Sequence, residues 1–217
     1  MDNVQTTFQQ YLRPTEFIDY NTPEVTAFVA ACIEDEMDIH EKMICLYFKV
    51  RDDIWYDTHN IFFEPSFYKA SNTLKREFGY CIPKAVLLAA VARKIGIPAR
   101  LGYVDVTNHI ASEKIIKRMG SNVFVFHSYT DLYMHGKWVK ATPAFNRALC
   151  EKFNVDPLDF DGHNDSMFQQ YDKAGHKYME YIKDHGKFDD LPYNKMIKTL
   201  KKAYPHLYEE QIKPRDE

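Results

Sequence analysis

Cys81 is the residue around which chemistry can be built. In Gly79-Tyr80-Cys81-Ile82-Pro83 it opens the most apolar stretch of the chain, Ala85 to Ile95. Apolar residues there cover nearly every face, which reads as a helix buried all round. Pro83 fits a first helical turn, whose N–H groups lack intrahelical partners. Those free N–H groups and the helix dipole favour a thiolate, and they could hold an oxyanion beside it. Nucleophilic cysteine catalysis needs both features on one residue. The plainer reading is a small buried apolar side chain, the usual place of a free cysteine. Cys32 and Cys45 lie on apolar helical stripes and fit that reading better. Cys150 has context for neither.

A thiol nucleophile wants a base, and nine histidines compete for the role. His127 lies within Val123 to Met134, a run of β-branched and aromatic residues that reads as a long strand. Period two places Val123, Val125, Tyr129, Asp131 and Tyr133 on its face. The plainer reading is a half-buried, hydrogen-bonded histidine. His135-Gly136 reads as a two-residue hairpin turn, with Lys137 to Thr142 as the return strand. The register then pairs Met134 with Lys137, Tyr133 with Trp138, Asp131 with Lys140 and Tyr129 with Thr142. Thr142 becomes the diagonal neighbour of His127, about 7 Å away at the backbone. A group there could accept the second imidazole N–H and fix the tautomer.

The remaining elements must position these two residues. Thr22-Pro23-Glu24 reads as a helix start with Thr22 as N-cap. Asp38 and Glu41 read as a capping box for a second helix. A short helix is expected around Pro65 to Lys75. Arg93 and Lys94 suit the last turn of the buried helix, and Gly96 and Pro98 end it. A strand follows at Leu101 to Thr107, then a helical segment from Ser112 to Met119. Beyond Phe145 helices are expected again, with Met167, Phe168, Tyr171, Ala174, Tyr178, Tyr181 and Ile182 on one stripe. Leu191 to Leu200 makes another. Residues 1 to 20 read as an extended lead-in and the tail from Lys213 as frayed. The order is that of an α+β fold.

The stretch from 79 to 143 resembles the transglutaminase-like superfamily of papain-related cysteine acyltransferases and peptidases. The resemblance rests on Gly79-Tyr80-Cys81 and its apolar helix, then Arg93-Lys94-Ile95-Gly96-Ile97-Pro98-Ala99-Arg100. It continues through His127-Ser128-Tyr129-Thr130-Asp131-Leu132-Tyr133 and Gly136-Lys137-Trp138. It implies a cysteine-protease-like fold, with the nucleophile helix packed on an antiparallel sheet, Cys81 as nucleophile and His127 as base. The family's aspartate falls at Thr142, in Val139-Lys140-Ala141-Thr142-Pro143. A threonine hydroxyl can orient the imidazole but stabilises an imidazolium less than a carboxylate does. Three readings stay open: Thr142 suffices, Asp161 or Asp159 of the acidic loop takes the role, or the site is degenerate.

The expected function is cysteine-dependent acyl transfer on amide bonds, of peptidase, amidase or transglutaminase type. The alternative is a degenerate transglutaminase-like domain that binds a peptide or protein. An arylamine acetyltransferase-like enzyme would share the cysteine and histidine, but no site for its CoA thioester is identifiable. The chemistry calls for no metal or organic cofactor. His163-Asn164-Asp165 and His176 have no HExxH or Cys/His spacing and read as solvated loop polarity. Trp55 and Trp138 could line a cleft, though buried tryptophan is commoner. The Lys198, Lys201, Lys202 group reads as a solvated helix face.

The 217 residues are 45% apolar and carry a net charge of −3, so a real core is expected and no general attraction to nucleic acid or an anionic membrane. No apolar run approaches a membrane span. The N-terminus lacks a signal-peptide pattern, so a cytoplasmic location and four free thiols are expected. The organisation expected is a lead-in over 1–22, a core over 23–146, and a helical extension over 147–217 packed on it. The expected partner is a peptide or protein amide substrate.

Overall fold

The computed structural model describes residues 8–109, 111 and 113–212, the side chains of 114, 115 and 210–212 apart. Helices come first: α1 (Pro23–Ala30), α2 (Ile39–Asp53), α3 (Ala70–Arg76) and α4 (Cys81–Lys94). Between them β1 (Trp55–Tyr56) and β2 (Phe78–Gly79) form a short parallel pair that leads into α4. The α2 capping box forms: the Asp38 carboxylate accepts the Glu41 N–H at 2.8 Å, and the Glu41 carboxylate accepts the Asp38 N–H at 2.9 Å. Thr22 stands at the N-cap of α1, but its hydroxyl makes no capping bond.

A four-stranded antiparallel sheet follows, made of β3 (Ala99–Asn108), β4 (Val123–Met134), β5 (Lys137–Ala141) and β6 (Met179–Phe188) in the order β5-β4-β3-β6. α5 (Glu113–Met119) joins β3 to β4, and α6 (Arg147–Lys152) follows β5. α7 (Tyr193–Ala203) and α8 (Pro205–Ile212) close the described chain. α4 is buried from Cys81 to Arg93, packed on the sheet at one side and on α2 and α3 at the other. Its Lys84 ammonium donates to the Arg51 and Ile54 carbonyls, at 2.8 and 2.6 Å. Those are carbonyls at the end of α2 that no helical N–H can reach.

The C-terminal segment is not the wholly helical extension expected. Residues 167–178 form no helix, and Met179–Phe188 pairs with β3 as an edge strand. The helical stripe fails at Asp172, whose carboxylate accepts the N–H groups of Ala174 and His176 and turns the chain. The segment still shares the main core, through Leu191, Met196, Leu200, Tyr204 and Leu207.

The expectation of four free thiols is also corrected. Cys32 and Cys45 are joined as a disulfide, with their Cα atoms 6.5 Å apart. The chain reverses between α1 and α2 and brings the two stripes face to face. Cys81 and Cys150 remain free. In the lead-in, described residues 8–22 add no strand; Phe17 and Ile18 are buried, and Phe8 and Tyr11 pack on Trp138. Residues 1–7, Ser112 and the tail from 213 lie outside the described residues. No helix among the described residues is long and apolar enough to cross a membrane.

One glycine sets the packing of β3 on β4. Gly102 pairs with Tyr129, and a Cβ at 102 would lie 2.1 Å from Cζ of that ring. Tyr129 is buried against Val104 and Val106, so it has little room to turn away. Gly102→Ala should therefore cost about 2 kcal/mol or more in urea unfolding. Adding Tyr129→Ala to Gly102→Ala should cost less than the two single changes summed, and strict additivity would refute the clash.

Candidate active site

Cys81 sits at the first position of α4, 8% exposed, where the β1–β2 pair delivers the chain into the helix. Burial pushes its thiol up to about 11, against the pull of N–H groups from Ser128, Ile82 and Cys81 itself. This reverses the expectation of a thiol acidified by the helix start: loss of water outweighs the free N–H groups. The Ser128 hydroxyl also lies within electrostatic reach of the sulfur, though it completes no hydrogen bond.

His127 lies on β4, 5% exposed, and burial holds its imidazole down to about 4. No hydrogen bond joins it to the Cys81 sulfur among the described residues. The alternation along β4 gives the reason. Thr130 donates to the Ala85 carbonyl of α4 at 2.9 Å, so Ser128 and Thr130 form the face turned to the helix. His127 falls on the other face. Both Cys81 and His127 nevertheless line one cavity of about 580 Å³. Its walls are apolar and rich in aromatic rings, including Tyr56, Tyr80, Phe124, Phe145 and Tyr178, and Arg118 and Lys152 also line it.

A bulge just before His127 makes this shared lining possible. Val104 pairs with His127 and Val106 with Phe124, so β4 carries one extra residue at Val125–Phe126. Phe126 takes a left-handed backbone, φ 63°. Its N–H goes to the Asp105 carboxylate at 2.9 Å, and the Val125 N–H goes to the Tyr204 hydroxyl at 2.7 Å. Side chains thus replace the ladder acceptors that the bulge removes. The bulge also corrects the expected face of His127. Phe124 packs with Val104, Val106 and Tyr129, in place of Val123 and Val125.

Asp105 and Tyr204 are positioning residues that the sequence reading missed. Asp105 is further held by His185, whose Nε2 lies 2.6 Å from Oδ1. An acidic residue in the middle of an apolar strand was the one signal available for it.

The hairpin forms with the expected pairs Met134 with Lys137, Tyr133 with Trp138, and Asp131 with Lys140. The fourth pair does not form. The ladder ends at Thr130 with Ala141, and the Thr142 N–H donates instead to the Ser166 carbonyl at 2.8 Å. Thr142 still shares a small void with His127, and its buried hydroxyl has no hydrogen-bond partner. Neither acidic alternative joins them. Asp159 pairs with Arg51 at 2.9 Å. Asp161 accepts the N–H groups of His163 and Asn164, in a loop beside the hairpin turn at the far end of β4. Cys150 is buried beside Phe145 and Gln169, outside the cavity lining. Trp55 is exposed, contrary to the buried reading, and Trp138 stacks on Arg100 at 3.9 Å. Neither tryptophan lines the cavity.

A family model described as the transglutaminase-like superfamily matches residues 26–143. The chain is similar to a crystal structure of a candidate cysteine protease from Cytophaga hutchinsonii, at 16% identity and a TM-score of 0.47. The likeness covers 86% of this chain and 55% of that one, so the chain spans about half that protein's length. No curated protein matches the chain.

Proposed function

Because the chain belongs to the transglutaminase-like superfamily, we propose that it carries out cysteine-dependent acyl transfer on amide bonds, with Cys81 as nucleophile and His127 as base. The observation that carries this is the shared cavity: the thiol at the start of α4 and the strand imidazole line the same aromatic chamber. Such a chamber suits an acyl group with an apolar or aromatic side chain, presented as a peptide amide.

The steps follow from the residues present. His127 takes the thiol proton as the sulfur attacks the amide carbonyl. The tetrahedral oxyanion accepts from the N–H groups at the start of α4 and from Ser128. The intermediate collapses to a thioester, and His127 returns the proton to the departing amine. Water or a second amine then releases the acyl group. Cys81 and His127 rest as a neutral thiol and imidazole, not as an ion pair. The proton therefore moves from Cys81 to His127 only as the sulfur attacks, with no ion pair formed beforehand.

One observation favours a second reading, a binding module in the same chamber: Thr142 stands where the family has an acid, and it touches no ring nitrogen in a hydrogen bond. An acyl-phenylalanine vinyl sulfone separates the two by intact-mass kinetics. The expected result is one adduct on Cys81, absent in Cys81→Ala and formed about a hundredfold more slowly in His127→Ala. Equal adduct rates with and without His127 would overturn the catalytic reading and leave the binding module.

A further inference from the structure

We propose that His40, His135 and His163 form a binding site for a divalent transition-metal ion of the zinc class, separate from the Cys81 chamber. The three rings come from the first turn of α2, the β4–β5 turn and the loop after α6. One ligand nitrogen from each lies within 4.8 Å of the others. His40 Nδ1 and His135 Nε2 are 2.9 Å apart. Ring centroids stand 5.0 Å apart for His40 with His135, 5.0 Å for His40 with His163, and 4.2 Å for His135 with His163.

Packing alone does not account for this convergence, since His135 and His163 are exposed. The backbone is shaped for it at two points. His135 holds a left-handed conformation, φ 50°, in a turn position where asparagine, aspartate or glycine is the easier occupant. Gly162 brings the loop backbone against His40: a Cβ there would lie 2.7 Å from Cε1 of that ring. The Asp161 carboxylate accepts the N–H groups of His163 and Asn164, at 2.8 Å each, and so fixes the loop that presents His163. The Asp38 carboxylate, held in the α2 cap, adds negative charge near His40 and His135.

The donor set selects the ion. Three imidazoles suit zinc, cobalt, nickel or copper, whereas calcium and magnesium require oxygen ligands. Three protein ligands leave the fourth tetrahedral position to water. His135 lies eight residues along β4 from His127, about 25 Å of strand. An ion there would tie the acidic loop and the hairpin turn to α2 without touching the nucleophile.

The test is titration of the full chain, disulfide intact, with Co²⁺ followed by visible d–d absorption and with Zn²⁺ followed by calorimetry. One equivalent should bind. His135→Asn, which suits the turn, and His163→Gln should each weaken binding at least about tenfold. Zn²⁺ should raise the melting temperature of the parent protein and not of these variants. Cys81→Ala should bind as the parent does. Absence of saturable binding, unchanged affinity in both histidine variants, or loss of binding in Cys81→Ala would overturn the proposal.

Discussion

Between pH 6.5 and pH 5 the protein should lose about 1.6 kcal/mol of unfolding free energy through His127 alone. Its imidazole is held down to about 4, from an ordinary value of 6.5, because burial disfavours the cation. A group whose folded value is depressed adds stability above its unfolded value, and that stability drains away as pH falls towards the folded value. The loss therefore begins near pH 6.5 and runs towards pH 4, the first 1.5 units giving the figure above. Urea titrations across this range, on the parent and on His127→Gln, isolate the effect, because the other histidines are common to both proteins. The slope should flatten in the variant. A resting thiolate–imidazolium pair predicts the opposite: His127 would gain stability on protonation, and the parent would outlast the variant as pH fell. Cys81 mirrors this at the alkaline end. Its thiol is pushed up to about 11 from 9.0, so its share of stability is intact below pH 9 and is lost between 9 and 11. Equal slopes in parent and variant would mean that His127 is solvated at rest, and the neutral resting pair proposed above would lose its basis.

The part of the site that was legible in the sequence is the part fixed by local rules. His135-Gly136 sets a two-residue turn, and such a turn dictates register, so the pairs from Met134 with Lys137 to Asp131 with Lys140 could be counted out. The capping box of α2 and the all-round burial of α4 are equally local. What escaped depends on distant partners. The bulge at Val125–Phe126 exists because Asp105 and Tyr204 supply acceptors from 21 residues before and 79 residues after the N–H groups they bind. Nothing in Val123 to Phe126 announces it, yet it decides which face His127 takes. β6 escaped because Tyr178, Tyr181 and Ile182 satisfy helical spacing as well as an edge strand does, and only the free edge of β3 selects the strand. The same limit hides the three histidines. His163 has no spaced motif around it in the sequence, and its neighbours in the fold lie on other elements.

Arg93→Met should destabilise the fold by about 3 kcal/mol. The guanidinium is 2% exposed at the end of α4. It donates twice to the Ala99 carbonyl, at 3.1 and 2.7 Å, once to the Arg13 carbonyl at 2.7 Å, and also to the Asp189 carbonyl. One side chain thus ties the lead-in, the start of β3 and the residue after β6 to the buried helix. Removing it orphans carbonyls from three segments, at about 1–3 kcal/mol each where they stay dry. Part of this is offset because a buried cation is itself costly, as its pKa, lowered to about 10 by burial, attests. At about 2–4 °C per kcal/mol for a chain of this size, the melting temperature should fall by roughly 6–12 °C. Arg93→Lys should recover only a fraction, because an ammonium is a single point and cannot span acceptors that a planar fork reaches together. Hydrogen exchange should place the damage: β6 and the start of α7 lose protection first, since Asp189 is the anchor between them, while α4 holds. A loss below about 1 kcal/mol, or exchange that rises evenly over the whole chain, would show that the C-terminal segment is held by the apolar contacts of α7 with the core and not by this arginine.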